Sequence, residues 1–191
     1  MHKFGIALTG LAMLLAGCAT YDSNEIVSTG ERFETYSGTE QYQLGVGDGI
    51  QIRIYNEDGL SGEFMVQADG TISLPLIGKV TAVGTTPNEL GAELERRYAE
   101  GYLRMPNVRV QVRQYRPVYV LGEVSKAGQY PYVPGMTAMS AIATASGYSP
   151  RANRKVILIK GANSEAELPY RVTPELRIFP GDTIRVDERF F

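Results

Sequence analysis

Residues Tyr42 to Val80 read YQLGVGDGIQIRIYNEDGLSGEFMVQADGTISLPLIGKV, and this stretch decides the fold. It opens on a glycine-rich turn, Gly45-Val46-Gly47-Asp48-Gly49. Strict alternation follows, with Ile50, Ile52 and Ile54 on one side and Gln51, Arg53 and Tyr55 on the other. A period of two predicts a strand buried on one face only. Turn formers from Asn56 to Gly62 break the pattern, and Phe64 and Val66 resume it. Asp69-Gly70 then predicts a hairpin before Ile72, Leu74 and Leu76. Short strands joined by glycine turns, with no helix between them, describe a small antiparallel β-unit.

Downstream, the chain changes period. Thr86 is placed to cap a helix, Pro87 suits its first position, and Glu89 completes a Thr-x-x-Glu capping box. Leu90, Leu94 and Tyr98 form one apolar stripe, Glu93, Glu95, Arg96 and Arg97 lie mostly outside it, and Gly101 marks the stop. The stripe predicts a helix packed on its own sheet. Asn107 to Tyr115 alternates again, with Val108, Val110 and Val112 inward and Arg109, Gln111 and Arg113 outward. Arg116-Pro117 marks a domain boundary. Beyond it the sequence predicts strands over Val118–Val124, Gln129–Val133, Val156–Lys160, Leu168–Val172 and Thr183–Val186. A short helix of small residues, Ala138 to Ser146, is capped by Thr137 and stopped by Gly147.

Upstream, the first residues belong to targeting. Met1-His2-Lys3 is a basic start and Phe4 to Leu15 an apolar run, too short to span a bilayer as a helix. Leu15-Ala16-Gly17-Cys18 places the only cysteine at a bacterial lipobox. Residues 1–17 therefore read as a lipoprotein signal peptide and Cys18 as the lipid attachment site. Several acyl chains on one terminus anchor stably where a single chain does not. Ala19 and Thr20 lack the aspartate that retains lipoproteins in the inner membrane, so the outer membrane is the expected destination. Residues 19–41 are polar and aperiodic and read as a tether. With Cys18 acylated no disulfide is available, so the fold rests on its apolar core.

The 191 residues carry a net charge of −2, which gives no electrostatic reason to expect nucleic acid as a partner. The only histidine, His2, leaves with the signal peptide. The mature chain thus cannot run a Ser-His-Asp or Cys-His mechanism, and it is expected to hold no metal or other cofactor. Gly45, Gly47 and Gly49 precede a strand rather than a helix, which removes the context of a dinucleotide or phosphate loop. Paired carboxylates are the one remaining route to catalysis, with Glu57, Asp58, Glu63, Asp69 and Glu123 as candidates. Twelve tyrosines leave room for contact with sugars. Finally, Val46-Gly47-Asp48-Gly49-Ile50-Gln51-Ile52 echoes Pro180-Gly181-Asp182-Thr183-Ile184-Arg185-Val186. Two turn-to-strand entries, each aspartate bonding its own backbone, account for the echo without chemistry.

The segments LGVGDGIQIRIY, VQADGTISLPLIGKV, PNVRVQV and VYVLGEVSKAGQY resemble, in order, bacterial outer-membrane polysaccharide export (OPX-type) lipoproteins. The likeness runs from about Tyr42 to Val186. It implies an α+β protein: a polysaccharide-export domain over 42–116, then an SLBB β-grasp domain over 117–191, after a lipidated tether over 18–41. The chain stops soon after its last strand, without the amphipathic helix of longer members, so the likeness is to the short form. By the same resemblance the protein would be an outer-membrane lipoprotein facing the periplasm, assembled as a homo-oligomeric ring. Its partners would be an inner-membrane polysaccharide co-polymerase and the polysaccharide cargo, conducted without chemical change. The chain either forms the outer-membrane pore or docks beneath a separate β-barrel. Arg109, Gln111 and Arg113 would then line a polar lumen or touch the polymer. A periplasmic enzyme using paired carboxylates and a glycan-binding structural lipoprotein are the competing readings.

Overall fold

The structure, a computed structural model, describes residues 26–33 and 42–189. The expected signal peptide and Cys18 lie outside them. The apolar side chains segregate into two clusters, one drawn from Leu44 to Val110 and the other from Val118 to Val186.

In the first unit the alternating isoleucines form β1 (Gly49–Ile54), with Ile50, Ile52 and Ile54 buried as their period requires. Next come β2 (Gly62–Met65), β3 (Thr71–Leu74), β4 (Gly78–Thr81), α1 (Pro87–Ala99) and β5 (Val108–Gln114). β1 lies between β2 and β5, antiparallel to both, while β3 and β4 form a separate two-stranded sheet. This corrects the expected hairpin. Asp69-Gly70 does turn the chain, with the Gln67 amide donating to the Thr71 carbonyl at 2.8 Å, but β2 and β3 enter different sheets. The tight reversal between paired strands falls at Pro75-Leu76-Ile77 instead. There Leu76 adopts a φ of 67° and is exposed rather than continuing the buried row.

Helix α1 forms as its signals dictate. The Glu89 amide donates to the Thr86 hydroxyl at 3.2 Å, and the Glu89 carboxylate accepts from the Thr86 amide at 2.8 Å. Leu90, Leu94 and Tyr98 are fully buried, and the Tyr98 hydroxyl donates to the Pro75 carbonyl at 3.1 Å. Each buried leucine contributes about 1.5–3 kcal/mol. Gly91 lets the helix lie close to β5, since a Cβ there would stand 3.4 Å from the Val108 carbonyl oxygen.

The second unit holds β6 (Val118–Gly122), β7 (Gly128–Tyr130), α2 (Ala138–Thr144), β8 (Val156–Lys160), β9 (Glu167–Arg171) and β10 (Thr183–Val186). Its five strands lie in the order β7-β6-β10-β8-β9, with β10 parallel to β6 and the other pairs antiparallel. The last strand thus occupies the centre, as in the β-grasp arrangement. A parallel pair needs a long crossover, and α2 lies within it. Ala138, Ala141, Ile142 and Ala145 are buried, so small side chains let α2 lie close to the sheet. Helix α2 is shorter than expected because Ser146 and Gly147 both adopt left-handed conformations, at φ of 65° and 83°.

The stretch expected as a tether is not free along its length. Val27 adds to the edge of β9 as a parallel bridge to Tyr170, and Glu31–Phe33 forms a single 3-10 turn. Arg32 reaches Asp182, with Nη1 to Oδ2 at 2.6 Å, and its guanidinium stands 5.0 Å from the Phe179 ring centre. Phe33 and Val27 pack against the second core. Residues 26–33 are therefore a strap on the second unit.

Candidate functional site

The outer face of the three-stranded sheet carries the polar row read from β5. Arg109, Gln111 and Arg113 are exposed there, while Val110 is buried behind them. Register brings β1 into the same surface: Gln51 stands opposite Gln111 and Arg53 opposite Arg109. The sequence row is thus half of a larger patch. The part contributed by β1 was visible as an alternating strand, but its pairing with a strand more than fifty residues away was not. Among the described residues, no ion pair involves Arg53, Arg109 or Arg113.

A hollow of about 680 Å³ opens at the Arg53–Arg109 end, bounded also by Tyr55, Asn56, Asn107 and the start of β2. A second, of about 420 Å³, lies along the outer edge of β5 between Tyr42, Tyr115 and the Thr86–Asn88 start of α1.

The echoed motifs meet at the junction of the two units. Asp48 and Asp182 are both buried, and each accepts a hydrogen bond from the backbone amide three residues before it, Gly45 at 2.7 Å and Phe179 at 2.8 Å. Gly47 and Gly181 take φ of 89° and 84°, the third position of a type II turn, which favours glycine. Both aspartates therefore hold turns, as their sequence context indicated. Neighbouring partners add to this. Asp48 also accepts from the Tyr42 hydroxyl at 2.5 Å and the Arg116 amide at 2.8 Å. Arg116 in turn donates through Nε to the Pro180 carbonyl at 2.9 Å. Edge-to-face contacts run from Tyr42 to Tyr115 to Tyr132, with ring centres 4.9 and 5.5 Å apart. Arg116 thus links the two aspartate turns, one through its amide and the other through its guanidinium.

Burial, with the Asp48 carboxylate beside it, holds the Tyr42 hydroxyl protonated far above the ordinary tyrosine range. A proton held more tightly in the folded chain contributes stability that is full below the unfolded pKa of about 10 and is lost as pH rises above it. Burial raises Tyr98, Tyr132 and Tyr148 in the same direction. Stability is expected to fall above about pH 10. Tyr42→Phe should flatten part of that fall in urea titrations run from pH 8 to 11, and an unchanged slope would count against it.

Four of the candidate carboxylates lie in the first unit, where Glu57 precedes the 3-10 turn Asp58–Leu60. Asp58 sits in a turn after β1 and Glu63 on the exposed side of β2. Asp69 is held at about 2 by Lys79 and Thr71, as a turn residue with committed partners. Glu123 belongs to the second unit, where it accepts from the Ser149 hydroxyl and pairs with Arg151 at 3.6 Å. No helix among the described residues is long and apolar enough to cross a membrane.

Two small α+β units thus meet at a buried junction, and the first presents an arginine-bearing sheet face. Residues 37–113 match the family described as polysaccharide biosynthesis/export protein, and residues 117–168 match the SLBB domain. The chain belongs to the polysaccharide export (OPX-type) proteins, with an export domain followed by an SLBB domain. It is 29% identical over 151 residues to the exopolysaccharide production protein ExoF of Rhizobium meliloti (strain 1021), covering 73% of this chain and 36% of that protein. It is 31% identical over 125 residues to the polysialic acid transport protein KpsD of Escherichia coli, covering 64% of this chain and 22% of that one. The matched region thus spans little more than a third of the first relative and under a quarter of the second.

Proposed function

We propose that this chain is a lipid-anchored component of a ring that passes a polysaccharide across the outer membrane without altering it. The observation that carries this reading is the export domain, whose sheet presents Arg53, Arg109, Gln111 and Arg113 outward with no ion-pair partner among the described residues. Such a row suits a surface along which a polar polymer moves. A unit of this size encloses no polymer-sized passage alone, so conduction requires copies joined head to tail around a closed ring. The partners are then further copies of this chain, an inner-membrane polysaccharide co-polymerase and the polymer itself.

Lipidation at Cys18 would give the strap a further role. The chain from Cys18 to Ile26 spans at most about 30 Å even when fully extended. The strap on the second unit would therefore hold the SLBB domain, rather than the export domain, close to the anchored leaflet.

The test is the fate of polymer when this protein is deleted, with the wild-type chain and Cys18→Ala supplied back. Loss of polymer from the medium, restored by wild type and not by Cys18→Ala, is the expected result. Secretion in normal amount with altered chain length would overturn conduction and return attention to the carboxylates.

A further inference from the structure

We propose that the hollow beside Arg53 and Arg109 is a binding site for acidic sugar residues of a glycan, the two guanidinium groups taking a sugar carboxylate. The inference deepens the export reading and rests on it. Arg53 and Arg109 stand directly opposite each other on β1 and β5. At that register the Cβ atoms are about 5 Å apart, and like charges destabilise the sheet. Yet no ion pair among the described residues involves either arginine. An unfavourable pair kept on an exposed face calls for an anion from outside.

The surroundings identify the kind of anion. β2 begins beside the pair with Gly62 opposite Ile52, preceded by Ser61, so small residues leave the space open. The Ser61 hydroxyl faces inward, donating to the Glu57 carbonyl at 2.9 Å and accepting from the Ile54 amide at 2.9 Å. Tyr55 is 75% exposed and lines the hollow, offering a ring face on which a sugar can stack. Gln51, Asn56 and Asn107 add amide donors and acceptors suited to hydroxyl groups. A guanidinium fork matches a carboxylate bidentately. A bare anion would need only the arginines; the ring and the amides fit a sugar that carries the charge. Asp58 is the only acidic residue on the rim, and it makes no ion pair with either arginine. Arg113 lies four residues along β5 from Arg109 on the same exposed face, so a second charge along the glycan would meet it.

Calorimetric titration of the purified chain with a galacturonate hexamer, and with neutral cellohexaose, tests this. The acidic hexamer is expected to bind at least about tenfold more tightly, with affinity falling as salt rises from 50 to 200 mM, since charge pairs at a surface are screened. Arg53→Gln with Arg109→Gln should reduce that affinity at least about tenfold, while Lys126→Gln, in an exposed turn of the second unit, should not. The double variant should melt no lower than wild type, because a like-charge repulsion is removed. Equal binding of both hexamers, or unchanged binding by the double variant, would overturn the site. So would a preference for phosphatidylglycerol vesicles over the acidic hexamer that the double variant abolishes, because the pair would then be a membrane contact. Binding is read on the isolated chain, so its failure leaves the deletion experiment, and conduction, untouched.

Discussion

Asp48→Ala is expected to unfold the junction and to lower the melting temperature by on the order of 10 °C. The carboxylate is fully buried and accepts three hydrogen bonds, from the Tyr42 hydroxyl, the Gly45 amide and the Arg116 amide. Alanine removes the acceptor from all three donors. Each orphaned donor costs about 1–3 kcal/mol, and breaking a buried polar network of this kind typically costs about 3–5 kcal/mol. That is a large share of the roughly 5–15 kcal/mol by which a domain is stable. Loss of the Arg116 amide bond also frees the residue whose side chain holds Pro180. The two units should then lose their common transition. Thermal unfolding followed by circular dichroism should split from one step into two, the first unit melting earlier. Asp48→Asn, which keeps an acceptor oxygen, should fall between. A melting point within a degree or two of wild type would show that the carboxylate is dispensable.

Gly122→Ala is the second large effect, and it strikes the second unit. Gly122 ends β6 at a φ of 81°, where a side chain is strained, and it stands opposite Val186 of the central strand. A Cβ there would lie 2.1 Å from the Val186 carbonyl oxygen. That oxygen is backbone, and it also accepts from the Glu123 amide at 2.8 Å, so it cannot move aside without breaking the parallel pair. The left-handed backbone alone costs an ordinary residue about 1–2 kcal/mol, and with the clash the loss should exceed about 4 kcal/mol. Gly128→Ala is the control, because a Cβ there meets nothing nearer than 4.0 Å. The control should unfold within about 0.5 kcal/mol of wild type in urea, while Gly122→Ala should leave little folded second unit. Equal midpoints for the two variants would mean that β6 and β10 adjust more freely than their register implies.

Both effects arise where the chain looked ordinary. Asp48 and Asp182 read from the sequence as turn aspartates, and that is what their own backbones show. What the turns do together depends on Arg116, which takes one aspartate through its amide and Pro180 of the other turn through its guanidinium. A Cβ on Gly45 would overlap the Arg116 Nη1 at 1.0 Å, so that glycine serves the junction rather than its own turn. The strap was hidden for the same reason. Arg32 sits in a polar, aperiodic run, and its partner Asp182 is 150 residues away. Asp69-Gly70 misled in the opposite direction: its turn chemistry is local and real, but the flanking strands, which cover the same core, pair with β1 and β4 rather than with each other.

The sequence by itself determined the features whose causes lie within a few residues. These are the one-sided burial of β1 and β5, both helix caps and the outward direction of Arg109, Gln111 and Arg113. Periodicity and capping are properties of neighbours, so they survive in the one-dimensional record. Tertiary structure alone decided which rows share a surface. It set Arg53 against Arg109, opened a hollow where β2 begins with small residues, brought the two aspartate turns to one arginine and laid residues 26–33 on the second unit. Each depends on register or on contacts across many residues, which no local pattern encodes.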